Sequence, residues 1–296
     1  MNQRAVVGSS VCIILFLFFL LPPAGAAVRL GFKAYGGLNY LGGGDLNRGT
    51  EGLTNGLIWY VHDILPGAST PGEYAPARWG IDFGGDIILD LSSSFALSIG
   101  AGYLQSSRST LLAFYSISPL SSLSISPEAR ASAVCLSVQA IYTLPTTSGL
   151  SVVFHAGPGY YLASIRSYNE LVSNGSTIMS FDTEADGGGL GVQAGLGLQY
   201  DLNSHWAFFL EVNGRYAAFS GFEGTTKLLV GALSVDYSGI LYCVTRSDIM
   251  SGPQTMIRCA ASFPTGPDYV EVHEAKVDLS GFSLRLGAVI RLGPSR

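Results

Sequence analysis

Charge is what this chain has least of. Lys, Arg, Asp and Glu together make up 12% of its 296 residues, about half of the roughly 25% typical of soluble domains. The net charge of −5 provides no basic surface for nucleic acid, which is excluded as a partner. Long apolar runs are also missing. Beyond the first 21 residues no stretch approaches the ~20 apolar residues of a membrane-spanning helix, although 48% of the chain is hydrophobic. The four histidines, His62, His155, His205 and His273, are scattered without metal-ligand spacing, so the sequence implies neither a metal nor a cofactor. A chain this greasy that never runs its apolar residues together must alternate them with polar ones, which is the pattern of strands between lipid and a polar interior.

The N-terminus reads as a secretory signal. Arg4 is the basic end, Val11 to Leu21 the apolar core and Ala24-Gly25-Ala26 the small-residue cleavage site, with Pro22-Pro23 ending a run too short to anchor a membrane protein. Residues 1–26 are therefore expected to be removed, leaving 27–296 as one barrel domain. Cys12 lies within the apolar core without the small residues that precede a lipoprotein cysteine, and no lipid anchor is expected.

The clearest strand is Gly80 to Leu91, GIDFGGDIILDL. Asp82, Gly84, Asp86 and Asp90 alternate with Ile81, Phe83, Ile87, Leu89 and Leu91, a period of two. The same alternation recurs from Arg29, Phe95, Arg130, Leu150, Gly189 and His205, and over a last strand from Phe282 to Leu292. This predicts an all-β fold: an eight-stranded antiparallel up-and-down transmembrane β-barrel. Short turns fall at Ser92-Ser93-Ser94, Pro145 to Gly149 and Asn203-Ser204. Four long loops, Leu41 to Trp79, about Gln105 to Glu128, Ser167 to Asp186 and about Gly221 to Val277, all fall on one rim, with both termini at the other. Within the first loop, Leu53 to Leu65 fits a short amphipathic helix, and the segment reads as a lid. Leu228 to Val244 alternates in part, as an extracellular hairpin or as two more strands of a ten-stranded variant. Pro158 has no amide donor, so a bulge or distortion is expected there.

Gly100-Ala101-Gly102-Tyr103 and Gly195-Leu196-Gly197-Leu198-Gln199-Tyr200 repeat one theme, a glycine-alternating strand bounded by an aromatic residue. In this the chain resembles the outer-membrane β-barrel family that includes the OmpA transmembrane domain, OmpX and OmpW, over most of Val28 to Leu292. It departs from the family's frequent terminal aromatic residue, since Gly293-Pro294-Ser295-Arg296 follows Leu292. The resemblance implies a monomer in the outer membrane of a diderm bacterium, with both termini periplasmic and with outer-membrane lipid and the barrel-assembly machinery as partners.

Inward parity collects Lys33, Asp82, Asp86, Asp90, Glu211, Arg215, Arg285 and Arg291. A desolvated charge needs a partner. Chain-order pairing puts Lys33 beside Asp86 and Asp90 and Glu211 beside Arg285, and leaves Asp82 free for solvent or ligand. Because eight strands enclose a bore that side chains fill, a packed, charge-paired plug is expected in preference to a gated pore. Gly187-Gly188-Gly189-Leu190-Gly191 lacks the strand and helix of a dinucleotide site, and Asp45, Asn47 and Glu51 lack the rest of a calcium loop. His155 and His205 are assigned to the interior. No Ser-His constellation occupies a lipid face, so the chain is not expected to be an enzyme. Cys135 is expected to pack as a small apolar residue. In an oxidising compartment Cys243 and Cys259 are either a loop disulfide or free thiols. The expected role is structural, surface-interacting or ligand-binding through the extracellular loops. The alternatives are a narrow channel for small or hydrophobic solutes and a lipid-modifying enzyme.

Overall fold

The computed structural model describes residues 29–69, 72–115, 122–146, 149–248 and 252–292; the segment expected to be a signal peptide and Gly293 to Arg296 lie outside them. The chain runs β1 (Arg29–Leu41), α1 (Asp45–Ile64), β2 (Trp79–Asp90), β3 (Phe95–Ser109), β4 (Leu112–Tyr115), β5 (Ser122–Ile125), β6 (Glu128–Pro145), β7 (Leu150–Ser173) and β8 (Ser176–Asp201). It continues with β9 (Trp206–Tyr216), β10 (Ala218–Phe219), β11 (Glu223–Val230), β12 (Leu233–Asp248), β13 (Gly252–Ala260), β14 (Tyr269–Glu274), β15 (Val277–Asp278) and β16 (Gly281–Leu292). The described residues thus hold sixteen strands rather than eight, fourteen of them in one sheet. Most of those beyond the alternation lie in segments expected to be loops, and β11 and β12 overlap the Leu228 to Val244 hairpin.

The antiparallel ladders run from β1 through β2, β3, β6, β7, β8, β9 and β16 and return to β1. A ladder without an edge leaves no row of strand-edge polar groups facing outward, as a lipid-facing sheet requires. Every second residue, such as Ile81, Phe83, Ile99, Leu136, Leu198, Leu210 and Leu284, is apolar and exposed on the outer face. At one rim that face carries an aromatic cluster, with Tyr40 5.2 Å from Trp79 and 5.5 Å from Phe282, as expected of an interfacial girdle. Helix α1 is not apolar enough to cross a membrane. At Pro158 the β6–β7 ladder lapses between Ser137↔Gly159 and Ala140↔Ala156 without changing register, so the missing amide costs local pairing and makes no bulge.

Beyond the aromatic rim the wall continues as a cap. Strands β7 and β8 extend to a two-residue turn at Asn174-Gly175, both with positive φ (50° and 79°), the geometry that matches strand twist in a tight hairpin. β8 pairs with β9 over Val192–Asp201 and with β11 over Met179–Asp186. The β11–β12 hairpin therefore joins the extension and does not enter the lower wall, which excludes the ten-stranded variant. Helix α1 is longer than the Leu53 to Leu65 segment expected, and it is no free lid. It packs inside the cap against β13, β7 and β5, with Thr50 Oγ1 2.7 Å from Ser167 Oγ and Thr54 Oγ1 donating to Asn169 Oδ1 at 2.8 Å. Gly49 and Gly52, which weaken a helix in isolation, are its contact face: a Cβ at Gly52 would lie 2.1 Å from the Thr255 carbonyl oxygen.

Candidate functional site

The bore contains two levels, below a third in the cap. At its middle, Asp82, Gly37, Arg285 and Glu211 fall in one register row across β2, β1, β16 and β9. Arg285 donates through Nε and Nη2 to Asp82 Oδ2, both at 2.8 Å, and its Nη1 lies 3.6 Å from Glu211 Oε1. Lys33 faces Asp86 in register, but its Nζ is 4.0 Å from that carboxylate and donates instead to Glu211 Oε2 at 2.6 Å. Arg215 donates to the Leu279 carbonyl at 2.7 Å and to Ser283 Oγ at 2.8 Å, and lies 3.9 Å from Asp82. Tyr35 and Phe209 present ring faces to Arg285 and Lys33 at 4.3 and 4.4 Å, attractive contacts for desolvated cations. Three cations and three carboxylates thus neutralise one another in a buried layer, and His155 adds a 2.6 Å hydrogen bond to Gln139.

Three expectations need correction. Asp82 is not available to solvent or ligand: it is 2% exposed and bonded to Arg285 over Gly37. Asp90 does not pair with Lys33 either. It stands opposite Arg29 at the short-turn rim and lies 3.6 Å from Arg291, which also contacts Asp201 at 3.1 Å. His205 is likewise outside the bore, in the exposed turn before β9, 2.9 Å from its neighbour Ser204.

Above the charged layer an apolar plug fills the long-loop end. Tyr161, Phe222, Leu41, Leu241, Val277 and Leu279 are fully buried there, and Cys135 packs among them. Phe219 and Phe222 stack at 5.8 Å over the glycine run of β8. A Cβ at Gly187 or Gly189 would lie 2.8 or 2.9 Å from those rings, so the run that superficially resembles a nucleotide motif makes room for the plug.

The cap holds the third level. A groove of about 490 Å³ opens between α1, β8 and β13, lined by Trp59, Tyr60, Met179, Phe181 and Met256 among others. Asp45, Asn47 and Glu51 do not converge as a calcium loop, because all three lie on α1. The Asn47 amide bridges the Gly42 and Ala77 carbonyls, and its Oδ1 accepts from Tyr74 OH at 3.3 Å. Burial raises the Tyr74 phenol above its ordinary range. Cys243 and Cys259 are free, buried thiols and form no disulfide; they sit two residues out of register on β12 and β13, Cys243 opposite Ile257 and Cys259 opposite Leu241. Burial, reinforced by the Asp45 carboxylate, pushes the Cys243 thiol up to about 12, and burial also raises that of Cys259.

An antiparallel wall with lipid-compatible side chains outside and paired charges inside defines a transmembrane β-barrel protein. A profile of the outer membrane protein beta-barrel domain matches residues 12–238, and the chain belongs to this outer-membrane family. Among solved structures it is similar to a major outer membrane protein from Thermus thermophilus, at 14% identity over 89% of this chain and 99% of that one, with a TM-score of 0.42. OprG from Pseudomonas aeruginosa is 12% identical over 93% and 99% of the two chains, with a TM-score of 0.35. AlkL, solved in DMPC lipid bilayers, is 17% identical over 93% and 96%, with a TM-score of 0.30. No curated protein sequence matches the chain.

Proposed function

We propose that β1, β2, β3, β6, β7, β8, β9 and β16 form an eight-stranded up-and-down barrel that spans the outer membrane as a monomer and does not conduct. Its short turns and both termini are periplasmic, and its four long loops build an extracellular cap. The observation that carries this reading is the buried Asp82–Arg285–Glu211–Lys33 layer, because an ion crossing the bore would have to break paired, desolvated charges. The work of the protein then falls to the cap. Its groove, at about 490 Å³, has the size and apolar lining of a small-molecule site, and the expected ligand is an apolar or aromatic compound. Outer-membrane lipid and the barrel-assembly machinery are its partners in the wall and in biogenesis.

Refolded protein in planar bilayers tests the first part: no stepwise conductance is expected, and a steady open channel overturns it. The apolar groove at the loop-side mouth also favours a second reading, a narrow path for small or hydrophobic solutes. Solute-driven swelling of liposomes carrying the protein would establish that reading in place of the closed one. For the groove, quenching of Trp59 fluorescence by an apolar aromatic probe, lost in Trp59→Phe, is expected.

A further inference from the structure

We propose that Asp45, Cys243 and His273 form a zinc(II) site that fastens helix α1 to the β12–β14 sheet of the cap, a function beyond the ligand groove. The three residues come from distant parts of the chain. Asp45 is the first residue of α1, Cys243 lies on β12, and His273 stands directly opposite it on β14. One ligand atom from each lies within 4.8 Å of the other two. Ligand atoms around one tetrahedral zinc are roughly 3.3–3.6 Å apart, given bond lengths of about 2.0–2.3 Å. Asp45 Oδ2 and His273 Nε2 are 3.0 Å apart, already near that spacing, so small side-chain rotations close the site on the thiol.

The donor set selects the metal. Sulfur, imidazole nitrogen and one carboxylate oxygen suit zinc, whereas calcium and magnesium require oxygen ligands throughout. The surroundings match a histidine ligand. His273 turns Nε2 toward Asp45 and places Nδ1 3.5 Å from Glu271 Oε1, while Arg48 holds the same carboxylate 3.3 Å from its Nη2. A carboxylate on the second ring nitrogen fixes the tautomer and raises the basicity of the metal-binding one. Asp45 Oδ2 is oriented in turn by the Lys276 amide, which donates to it at 2.8 Å. Cys243 is buried while Asp45 and His273 are partly exposed, which leaves an approach from solvent and a fourth position for water. On binding, the thiol proton passes to solvent and the thiolate takes the metal. Without metal the same atoms make an Asp-His pair above a buried thiol, and the experiment separates the two.

The full chain, folded in micelles, stripped with chelator and verified to have reduced thiols, is titrated with zinc against a chromogenic chelator and separately with cobalt(II). One tightly held zinc per chain is expected, together with the intense thiolate-to-cobalt charge-transfer absorption of a tetrahedral site. Cys243→Ser and His273→Gln are expected to abolish stoichiometric binding. Glu271→Gln is expected to weaken it by about 10–100-fold, while Cys259→Ser binds as the parent does. Zinc is also expected to slow proteolysis within α1. The absence of stoichiometric binding, or of the thiolate band in the unsubstituted chain, overturns the proposal, as does undiminished binding by folded Cys243→Ser and His273→Gln. If those variants do not fold, the cobalt spectrum of the unsubstituted chain decides.

Discussion

Asp82 and Arg285 are bonded at 2.8 Å across a strand that separates them. The residue between them on β1 is Gly37, in register with both. A Cβ there would meet the Leu284 carbonyl oxygen at 2.0 Å. The close approach of β1 and β16 beneath the ion pair therefore requires glycine at this position.

Asp82→Asn is expected to be costly because it leaves Arg285 and Arg215 buried with too little counter-charge. Removing one partner of a buried pair costs about 3–5 kcal/mol, measurable by urea unfolding in lipid vesicles. Asp82→Leu combined with Arg285→Met removes both charges and should recover most of that loss. If the double variant is no more stable than Asp82→Asn alone, charge burial is not what the layer balances.

The lower wall is legible because lipid imposes a period of two: Gly80 to Leu91 alternates, and β2 is Trp79–Asp90. Past the lipid zone that signal fades, since the outer face meets water and the buried inner face carries polar residues as well, Ser167 and Asn169 against α1 and Thr183 against Thr226. Hence Ser167 to Asp186 read as a loop, although Asn174-Gly175 is a strong hairpin signal. The first turns of α1 are hidden by Gly49 and Gly52, which precede the Leu53 to Leu65 segment and weaken a helix until β13 is placed against them. The Asp82–Arg285 pair skips a strand, so neighbour pairing could not find it. The meeting of Asp45, Cys243 and His273 depends on tertiary packing that no spacing in the sequence records.

Gly52→Val tests the seating of the helix. A side chain aimed at the Thr255 carbonyl oxygen from 2.1 Å meets backbone and cannot be accommodated by rotamer change, so overpacking of about 1–3 kcal/mol or more is expected. The damage should be confined to the cap: new protease cleavage within residues 45–64, with the heat-dependent gel mobility of the barrel unchanged. Loss of that mobility shift would mean that the helix and the wall fold as one unit.

Tyr74 predicts an alkaline weakness. Burial raises its folded-state pKa above the unfolded value of about 10, so the unfolded chain releases this proton first and stability falls as pH rises beyond that value. The phenol that donates to Asn47 Oδ1 helps hold the segment between α1 and β2. Hydrogen exchange in this segment should therefore accelerate above pH ~10, and Tyr74→Phe should remove the contribution of this group while losing one hydrogen bond at neutral pH. An unchanged alkaline limb in Tyr74→Phe would assign the weakness to another group.

Phe222→Ala separates the two layers that close the bore. Phe222 is fully buried and stacks on Phe219, so truncation should cost about 3–5 kcal/mol through lost burial and a residual cavity. Yet conductance should not appear, because the Arg285–Asp82 and Lys33–Glu211 pairs below it remain. Adding Asp82→Ala, Arg285→Ala, Lys33→Ala and Glu211→Ala to Phe222→Ala should open both layers and give a measurable current in planar bilayers. A current from Phe222→Ala alone would show that the apolar plug is the barrier and that ions pass the charge layer.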